Sequence, residues 1–201
     1  MNQPHFSQRR FSLQPFPKKE SAPKDVSSLS ITGAIARRAA TLTLHYELCG
    51  AIATLKIPPP ATQPSRQNGL WQTTCFECFL AVKGTTQYWE INLSPAGHWN
   101  VYRFSAYRQG MQPELAWSSL PVCVQRNVQS AAPKPDRQPE TETLQLDLEL
   151  NLTAIVSPEQ SLEIGISAVV QQQDGTITYW ALNHPGPEAD FHQRDSFTLD
   201  L

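Results

Sequence analysis

The segment LWQTTCFECFLAVKGTTQYWEINLSPAGHWNVYRFSAYRQGM, residues 70–111, contains three runs of alternating side-chain character. The runs cover residues 71–80, Tyr88–Leu93 and residues 99–105, and short glycine-containing connections join them. Successive side chains of a strand point to opposite faces of a sheet, so such alternation is typical of strands with one apolar and one polar, aromatic face. The segment therefore predicts three consecutive antiparallel strands.

Tight turns between these strands would bring polar side chains into register. If the Lys-Gly and Ala-Gly pairs of the two connections form two-residue turns, Glu77 pairs with Glu90 and Glu90 pairs with Arg103. These residues then form one row on the polar face, and Asn92 lies on the same face. Adjacent carboxylates are unfavourable unless a cation or hydrogen-bond donors lie between them. The row is either a structural ion-pair network or the polar floor of a binding site, and both interpretations stay open.

Length, charge and composition exclude several classes of protein. A chain of 201 residues can bury a core as one domain. Its net charge is -2, from 16 basic and 18 acidic residues without a long run of either sign, which predicts neither nucleic-acid nor membrane binding. No apolar run approaches membrane-spanning length, and the first residues lack the apolar region of a secretory signal. We therefore expect a cytoplasmic protein.

The four cysteines do not predict a disulfide framework in such a chain. Cys75 and Cys78 form a CxxC motif within the first predicted strand. Positions three apart on a strand point to opposite faces, so the two thiols are poorly placed to bind one metal or to form a disulfide. We expect buried cysteines that behave as small hydrophobic side chains.

Period-two patterning continues through the rest of the chain. It is clearest in residues 143–153, where Leu144, Leu146 and Leu148 alternate with polar residues, and it recurs in residues 41–48 and 162–170. About ten strands, without a convincing amphipathic helix, predict an all-β fold: a single-domain antiparallel β-sandwich with jelly-roll-like connections. Residues 1–10 lack this pattern and are predicted to be a disordered tail, which leaves residues 11–201 as the domain.

Several of these segments resemble a known family. The segments LWQTTCFECFL, YWEINLSPAGHWNVYRFSAYRQGM and YWALNHPGPEADFHQRDSFTLDL are similar to those of bacterial DOMON-like domain proteins. That uncharacterised group is similar to carbohydrate-binding module family nine. FSLQPFP, LTLHYELCG and LKIPPP match the same pattern, so the resemblance spans residues 11–201. It implies a β-sandwich with a ligand site on one sheet, near the ends of the strands.

The resemblance also implies which side chains bind a ligand. In sugar-binding relatives two tryptophans enclose a sugar, and charged and amide side chains bind its hydroxyls. Trp71 and Glu77 match the first aromatic residue and the carboxylate, and Arg103 matches a basic residue on the sheet floor. Trp180 and Asn183 match the second aromatic residue and its amide. We therefore predict a small polar ligand, such as a sugar. The predicted ligand-binding residues are Trp71, Glu77, Glu90, Asn92, Arg103, Trp180 and Asn183. In the alternative interpretation, the tryptophans are packing residues of the sandwich.

Haem binding is a second interpretation, because other relatives bind haem through a methionine and a histidine. Met111 is the internal methionine, and the candidate partners are His98, His184 and His192. A methionine in a polar QGM turn is more often incidental, so no cofactor is predicted.

Catalysis is a third interpretation. Glu77 and Glu90 resemble the paired carboxylates of a glycosidase, but no nucleophile motif or phosphate loop accompanies them. Asp190, His192 and Asp195 invite a metal interpretation, although their spacing on a proline-flanked loop fits no standard site. We expect a solvated loop there and a binding protein rather than an enzyme.

Overall fold

Two antiparallel β-sheets pack face to face in the computed structural model, which describes residues 6–17, 29–129 and 141–201. The strands in these ranges are β1 (Phe6–Ser12), β2 (Gln14–Pro15), β3 (Ser30–Arg38), β4 (Thr41–Gly50), β5 (Cys75–Val82), β6 (Tyr88–Leu93), β7 (Trp99–Phe104), β8 (Gln112–Pro113), β9 (Cys123–Gln129), β10 (Thr141–Asn151), β11 (Leu162–Gln171), β12 (Ile177–Ala181) and β13 (Leu199–Asp200). The helical segments in these ranges are short 3-10 turns at Ile52–Thr54, Leu70–Gln72 and Arg194–Ser196. The structure confirms the predicted all-β sandwich.

The first sheet has the strand order β1-β3-β4-β10-β9, and the second has the order β2-β12-β11-β5-β6-β7-β8, with β13 beside β11. The chain crosses between the sheets after β1, β2, β4, β8 and β10, as expected for jelly-roll-like connections. Within the described residues, no helix has the length and apolar character needed to cross a membrane.

The main core lies between the sheets. Leu144, Leu146 and Leu148 of β10 are buried in it, as their alternation predicts. Tyr46 of β4 is fully buried, and its hydroxyl donates a hydrogen bond of 2.7 Å to the backbone carbonyl of Glu77 in β5. This bond ties the first sheet to the central strand of the second sheet.

The outer face of the second sheet is also largely buried, contrary to the predicted polar surface. A second cluster of buried apolar residues lies there, including Phe79, Tyr88 and Phe104. Phe197, which follows β12, belongs to this cluster, and Phe191 packs against it. The C-terminal segment, residues 183–198, therefore covers a face that we expected to be solvated. Strands that are buried on both faces lose the simple alternation of apolar and polar residues.

The predicted pairing of Glu77 with Glu90 is wrong, because the β5–β6 connection is longer than a two-residue turn. Glu77 pairs with Asn92, and Phe79 pairs with Glu90. The register therefore differs from the predicted one by two residues. A shift of two preserves the face of every side chain, so Glu77 and Glu90 still lie on the same face as diagonal neighbours.

The predicted pairing of Glu90 with Arg103 is also wrong, and here the face changes. Glu90 pairs with Tyr102, and Arg103 pairs with Trp89. The amide of Ser94 bonds to the carbonyl of His98, which leaves a three-residue turn with a glycine at φ 87°. A three-residue turn shifts the register by one, so Arg103 lies on the face opposite Glu90.

The predicted boundary of the N-terminal tail is wrong as well. Residues 1–5 lie outside the described residues, but residues 6–10 belong to β1 and pair with β3 from Phe6↔Arg38 onward. The side chains of this edge strand are mostly exposed, so they carry little hydrophobic pattern. Backbone hydrogen bonds to β3 place this segment in the sheet.

The cysteine prediction is confirmed for the CxxC motif. Cys75 and Cys78 are free and fully buried, and burial raises the pKa of both thiols. Cys78 belongs to the main core, whereas the Cys75 thiol lies on the other face, 3.6 Å from the side-chain oxygen of Asn92.

Candidate functional site

A cavity of about 410 Å³ lies between the outer face of the second sheet and the C-terminal segment. Glu77 of β5 and Glu90 of β6 lie at its floor, where each side chain is almost fully buried. Trp71, Tyr179 and Phe191 contribute aromatic walls. Trp71 and Tyr179 remain 36% and 40% exposed, so their rings are accessible to a ligand. Clefts that join aromatic surface to a few convergent polar groups are typical of small-molecule sites.

The two carboxyl groups have different hydrogen-bond partners. Glu90 Oε1 accepts a hydrogen bond of 2.7 Å from the amide nitrogen of Asn92. Glu77 Oε2 accepts one of 3.3 Å from the hydroxyl of Ser167 on β11. Glu77 Oε1 is buried and has no hydrogen-bond partner among the described residues. Buried polar atoms are nearly always hydrogen-bonded, so this oxygen, in a residue that lines the cavity, is a candidate contact for a bound molecule.

Burial controls the charge of this pair. Burial, followed by the nearby charge of Glu90, raises the pKa of Glu77 well above its ordinary value of 4.5. Burial also raises the pKa of Glu90 to about 7, against the Asn92 hydrogen bond and the positive charge of Arg108. Burial therefore favours the protonated form of both carboxyl groups, and Glu90 is partly ionised near neutral pH.

His192 completes the floor beside Glu90. Its Nδ1 lies 2.8 Å from the hydroxyl of Tyr88, which also accepts a hydrogen bond from the backbone amide of Arg108. We assign the Tyr88 proton to this contact with Nδ1, which places the imidazole proton on Nε2, 3.9 Å from Glu90 Oε2. Burial, followed by the charge of Arg108, lowers the pKa of His192 to about 4. His192 is therefore a neutral imidazole at neutral pH.

Asp190 links the C-terminal segment, which covers the cavity, to the turn after β7 through hydrogen bonds. It accepts hydrogen bonds from Tyr107 at 2.5 Å and from Arg108 at 2.8 Å, both in the turn after β7. The backbone amide of His192 also donates to it at 3.1 Å. Within the described part of the chain, no group of three His, Cys, Asp or Glu residues is arranged to hold a metal ion. Asp190 anchors a covering segment instead of a solvated loop.

The structure brings part of the predicted set together. Trp71, Glu77 and Glu90 line one cavity. Trp71 precedes β5 in the 3-10 turn Leu70–Gln72, and its ring meets Tyr102 edge-on at 5.6 Å. Asn92 is fully buried and reaches the cavity through its hydrogen bond to Glu90.

The other predicted residues lie elsewhere. Trp180 is 3% exposed in the main core, where its indole N–H donates to Thr178 at 3.0 Å. Arg103 lies on the core-facing side of β7, so its predicted place in the polar row is wrong. Asn183 is exposed and donates to the backbone carbonyl of Asp195 at 3.2 Å.

Two residues that the sequence interpretation missed occupy the expected roles. Tyr179 precedes Trp180 and therefore points to the other face of β12, where it lines the cavity. Arg108, in the turn after β7, supplies the cation expected from Arg103. The adjacent Tyr and Trp indicate that one of the two aromatic side chains lies on the cavity face of β12, but the dipeptide alone does not show which one.

The candidate haem ligands do not all lie together. Met111 and His192 both line the cavity, whereas His98 lies near Ser65 and His184 bonds to the carbonyl of Gln14. The Nε2 of His192 lies 3.9 Å from Glu90 Oε2.

Comparisons with known proteins support the fold. No protein-family profile and no curated protein sequence matches the chain. A solved structure from Bacteroides uniformis, provisionally described as a carbohydrate-binding protein, superposes with a TM-score of 0.58 at 14% sequence identity. The match covers 94% of this chain and 83% of that chain. At this identity the likeness shows a shared fold.

Proposed function

We propose that the chain is a binding domain whose cavity takes a carbohydrate or a similar small polar ligand. One observation carries the proposal: the cavity joins two accessible aromatic rings to a buried carboxyl pair, one oxygen of which has no partner among the described residues. Sugars present apolar faces that pack on aromatic rings, and their hydroxyls hydrogen-bond to carboxyl oxygens.

Each side chain has a separate role in this proposal. Trp71 and Tyr179 contact the apolar faces of the ring, while Glu77 Oε1 and Glu90 Oε2 bind hydroxyl groups. Asn92 and Ser167 hold the carboxyl groups in place through their hydrogen bonds. Both carboxyl groups lie on adjacent strands rather than on loops, so their positions are fixed before a ligand arrives.

The DOMON-like affiliation and the cytoplasmic location belong to the proposal as well. The Bacteroides uniformis protein shares the fold, and its provisional description agrees with a carbohydrate ligand. We further propose binding without catalysis. Hydrolysis of chromogenic glycosides that is lost in Glu77→Gln and Glu90→Gln would contradict this last point.

A glycan array followed by isothermal titration calorimetry tests the proposed function. We expect Tyr179→Ala and Trp71→Ala to weaken binding at least tenfold with an unchanged far-ultraviolet circular dichroism spectrum. Phe6→Ala is the matched control, since Phe6 is an exposed aromatic residue of the other sheet. Absence of carbohydrate binding, or equal loss in the Phe6 control, would contradict the proposal.

A further inference from the structure

Among the described residues, no Lys or Arg side chain forms an ion pair with either carboxyl group at the cavity floor. Arg108 is the charged neighbour, but its guanidinium pairs with Asp190 at 2.8 Å. The nitrogen of His192 that lies 3.9 Å from Glu90 Oε2 belongs to a neutral ring. Glu77 Oε1 has no partner at all among the described residues, although Glu77 is only 3% exposed. A neutral sugar would bring no positive charge to the partly ionised carboxyl pair.

Building on the proposed function, we propose that the cavity selects a sugar that carries a free primary amine, with its ammonium group bound between Glu77 and Glu90. An ammonium group has three hydrogen-bond donors and no acceptor. Two of them match carboxyl oxygens of the pair: within the described ranges, Glu77 Oε1 has no hydrogen-bond partner, and Glu90 Oε2 has none closer than His192 Nε2 at 3.9 Å. Charge-assisted hydrogen bonds of this kind are roughly twice as strong as neutral ones.

The aromatic walls favour the same ligand. Trp71 and Tyr179 both line the cavity and keep part of their ring surface exposed. The face of an aromatic ring attracts a cation, most strongly when water is excluded. The same rings pack on the apolar faces of a sugar. An amino sugar can interact with the rings through its ammonium group and its apolar faces, whereas a neutral sugar interacts through its apolar faces alone.

Binding of an ammonium group would also displace protons. The carboxyl pair holds protons near neutral pH because it is buried. A cation placed between the two groups favours their ionised forms, so protons leave as the ligand enters. The titratable and charged groups around the pair are Arg108, Asp190, His192, Cys75, Tyr88 and Tyr102. Burial raises the pKa of the Cys75 thiol and of both tyrosines, and His192 is already neutral, so the carboxyl pair supplies the released protons.

Calorimetry with matched sugars tests this inference. D-glucosamine, D-glucose and N-acetyl-D-glucosamine, with the corresponding galactose series, differ at one substituent. At pH 6.5 we expect the free amine to bind at least tenfold tighter than the neutral sugars. Titration in two buffers with different heats of ionisation should show proton release for the amine alone.

Variants separate the carboxyl pair from general effects. Glu77→Gln should weaken binding of the amino sugar at least tenfold more than it weakens binding of the corresponding neutral sugar. Glu90→Gln provides a second test if Glu77→Gln does not fold, and Glu149→Gln, an exposed position on β10, is the control that should change neither. Neutral sugars that bind as tightly as the amine would overturn the inference and leave the proposed function intact. Absence of binding by all six sugars would also overturn it, while the wider glycan array decides the proposed function independently.

Discussion

Glu90→Gln should stabilise the folded protein at alkaline pH and leave its stability almost unchanged at acidic pH. Burial raises the pKa of Glu90 from its ordinary value of 4.5 to about 7. The folded state therefore holds this proton more tightly than the unfolded state does. The resulting stabilisation is complete below about pH 4.5 and is lost as the pH rises through about 7. At about 1.4 kcal/mol per pH unit, the loss amounts to about 3 kcal/mol.

Glutamine resembles the protonated acid and does not ionise, so the variant avoids this loss. We expect the two proteins to differ by less than about 1 kcal/mol at pH 5, and the variant to be more stable by about 3 kcal/mol at pH 9. His192 has the opposite dependence, because its lowered pKa reduces stability as the pH falls below about 6.5. It is present in both proteins, so its contribution cancels when they are compared.

Urea unfolding, followed by tryptophan fluorescence at both pH values, measures this difference. Glu149→Gln on β10 is the control, because an exposed side chain should change stability by no more than about 0.5 kcal/mol at either pH. An effect of Glu90→Gln that is equal at pH 5 and pH 9, or a destabilisation at pH 9, would refute a buried carboxyl with a raised pKa.

Two further predictions compare neighbouring residues on one strand. Leu148→Ala should lower the free energy of unfolding by about 2–5 kcal/mol, whereas Asp147→Ala should lower it by no more than about 1 kcal/mol, since its 2.7 Å contact with His45 is half-exposed. Urea unfolding of both variants measures the difference, and equal losses would contradict the prediction. Trp180→Ala should lower the free energy of unfolding by about 3–5 kcal/mol because the indole is buried in the core, whereas Tyr179→Ala should keep the stability of the protein and lose ligand binding. A stable Trp180→Ala protein that does not bind ligand would reverse the assignment of the two faces of β12.

The sequence predicts strands well where a single face is buried. The leucines of β10 alternate with polar residues and lie in the core, because the opposite face of that sheet is largely solvated. The strands of the second sheet do not follow this pattern, because residues 183–198 cover its outer face and both faces are buried. That covering segment is irregular and has no periodicity, so no sequence pattern indicates that Phe191 and His192 return to the sheet.

Turn length limits the prediction of the site. The β5–β6 connection shifts the register by two residues, and Glu77 and Glu90 keep their shared face despite wrong pairing. The three-residue turn before β7 shifts it by one and removes Arg103 from that face. One additional residue in a turn therefore decides whether Arg103 lies on the cavity face. The alternation of side chains along the strands does not reveal how many residues the turn contains.

A crystal structure with the tightest-binding sugar tests most directly whether a ligand binds at the carboxyl pair. We predict the sugar ring beside Trp71 and Tyr179, with a ligand nitrogen or oxygen about 3 Å from Glu77 Oε1. This contact would give a partner to the oxygen that lacks one among the described residues. A sugar bound elsewhere, such as on the outer face of the first sheet, with the cavity left without ligand, would contradict binding at the carboxyl pair.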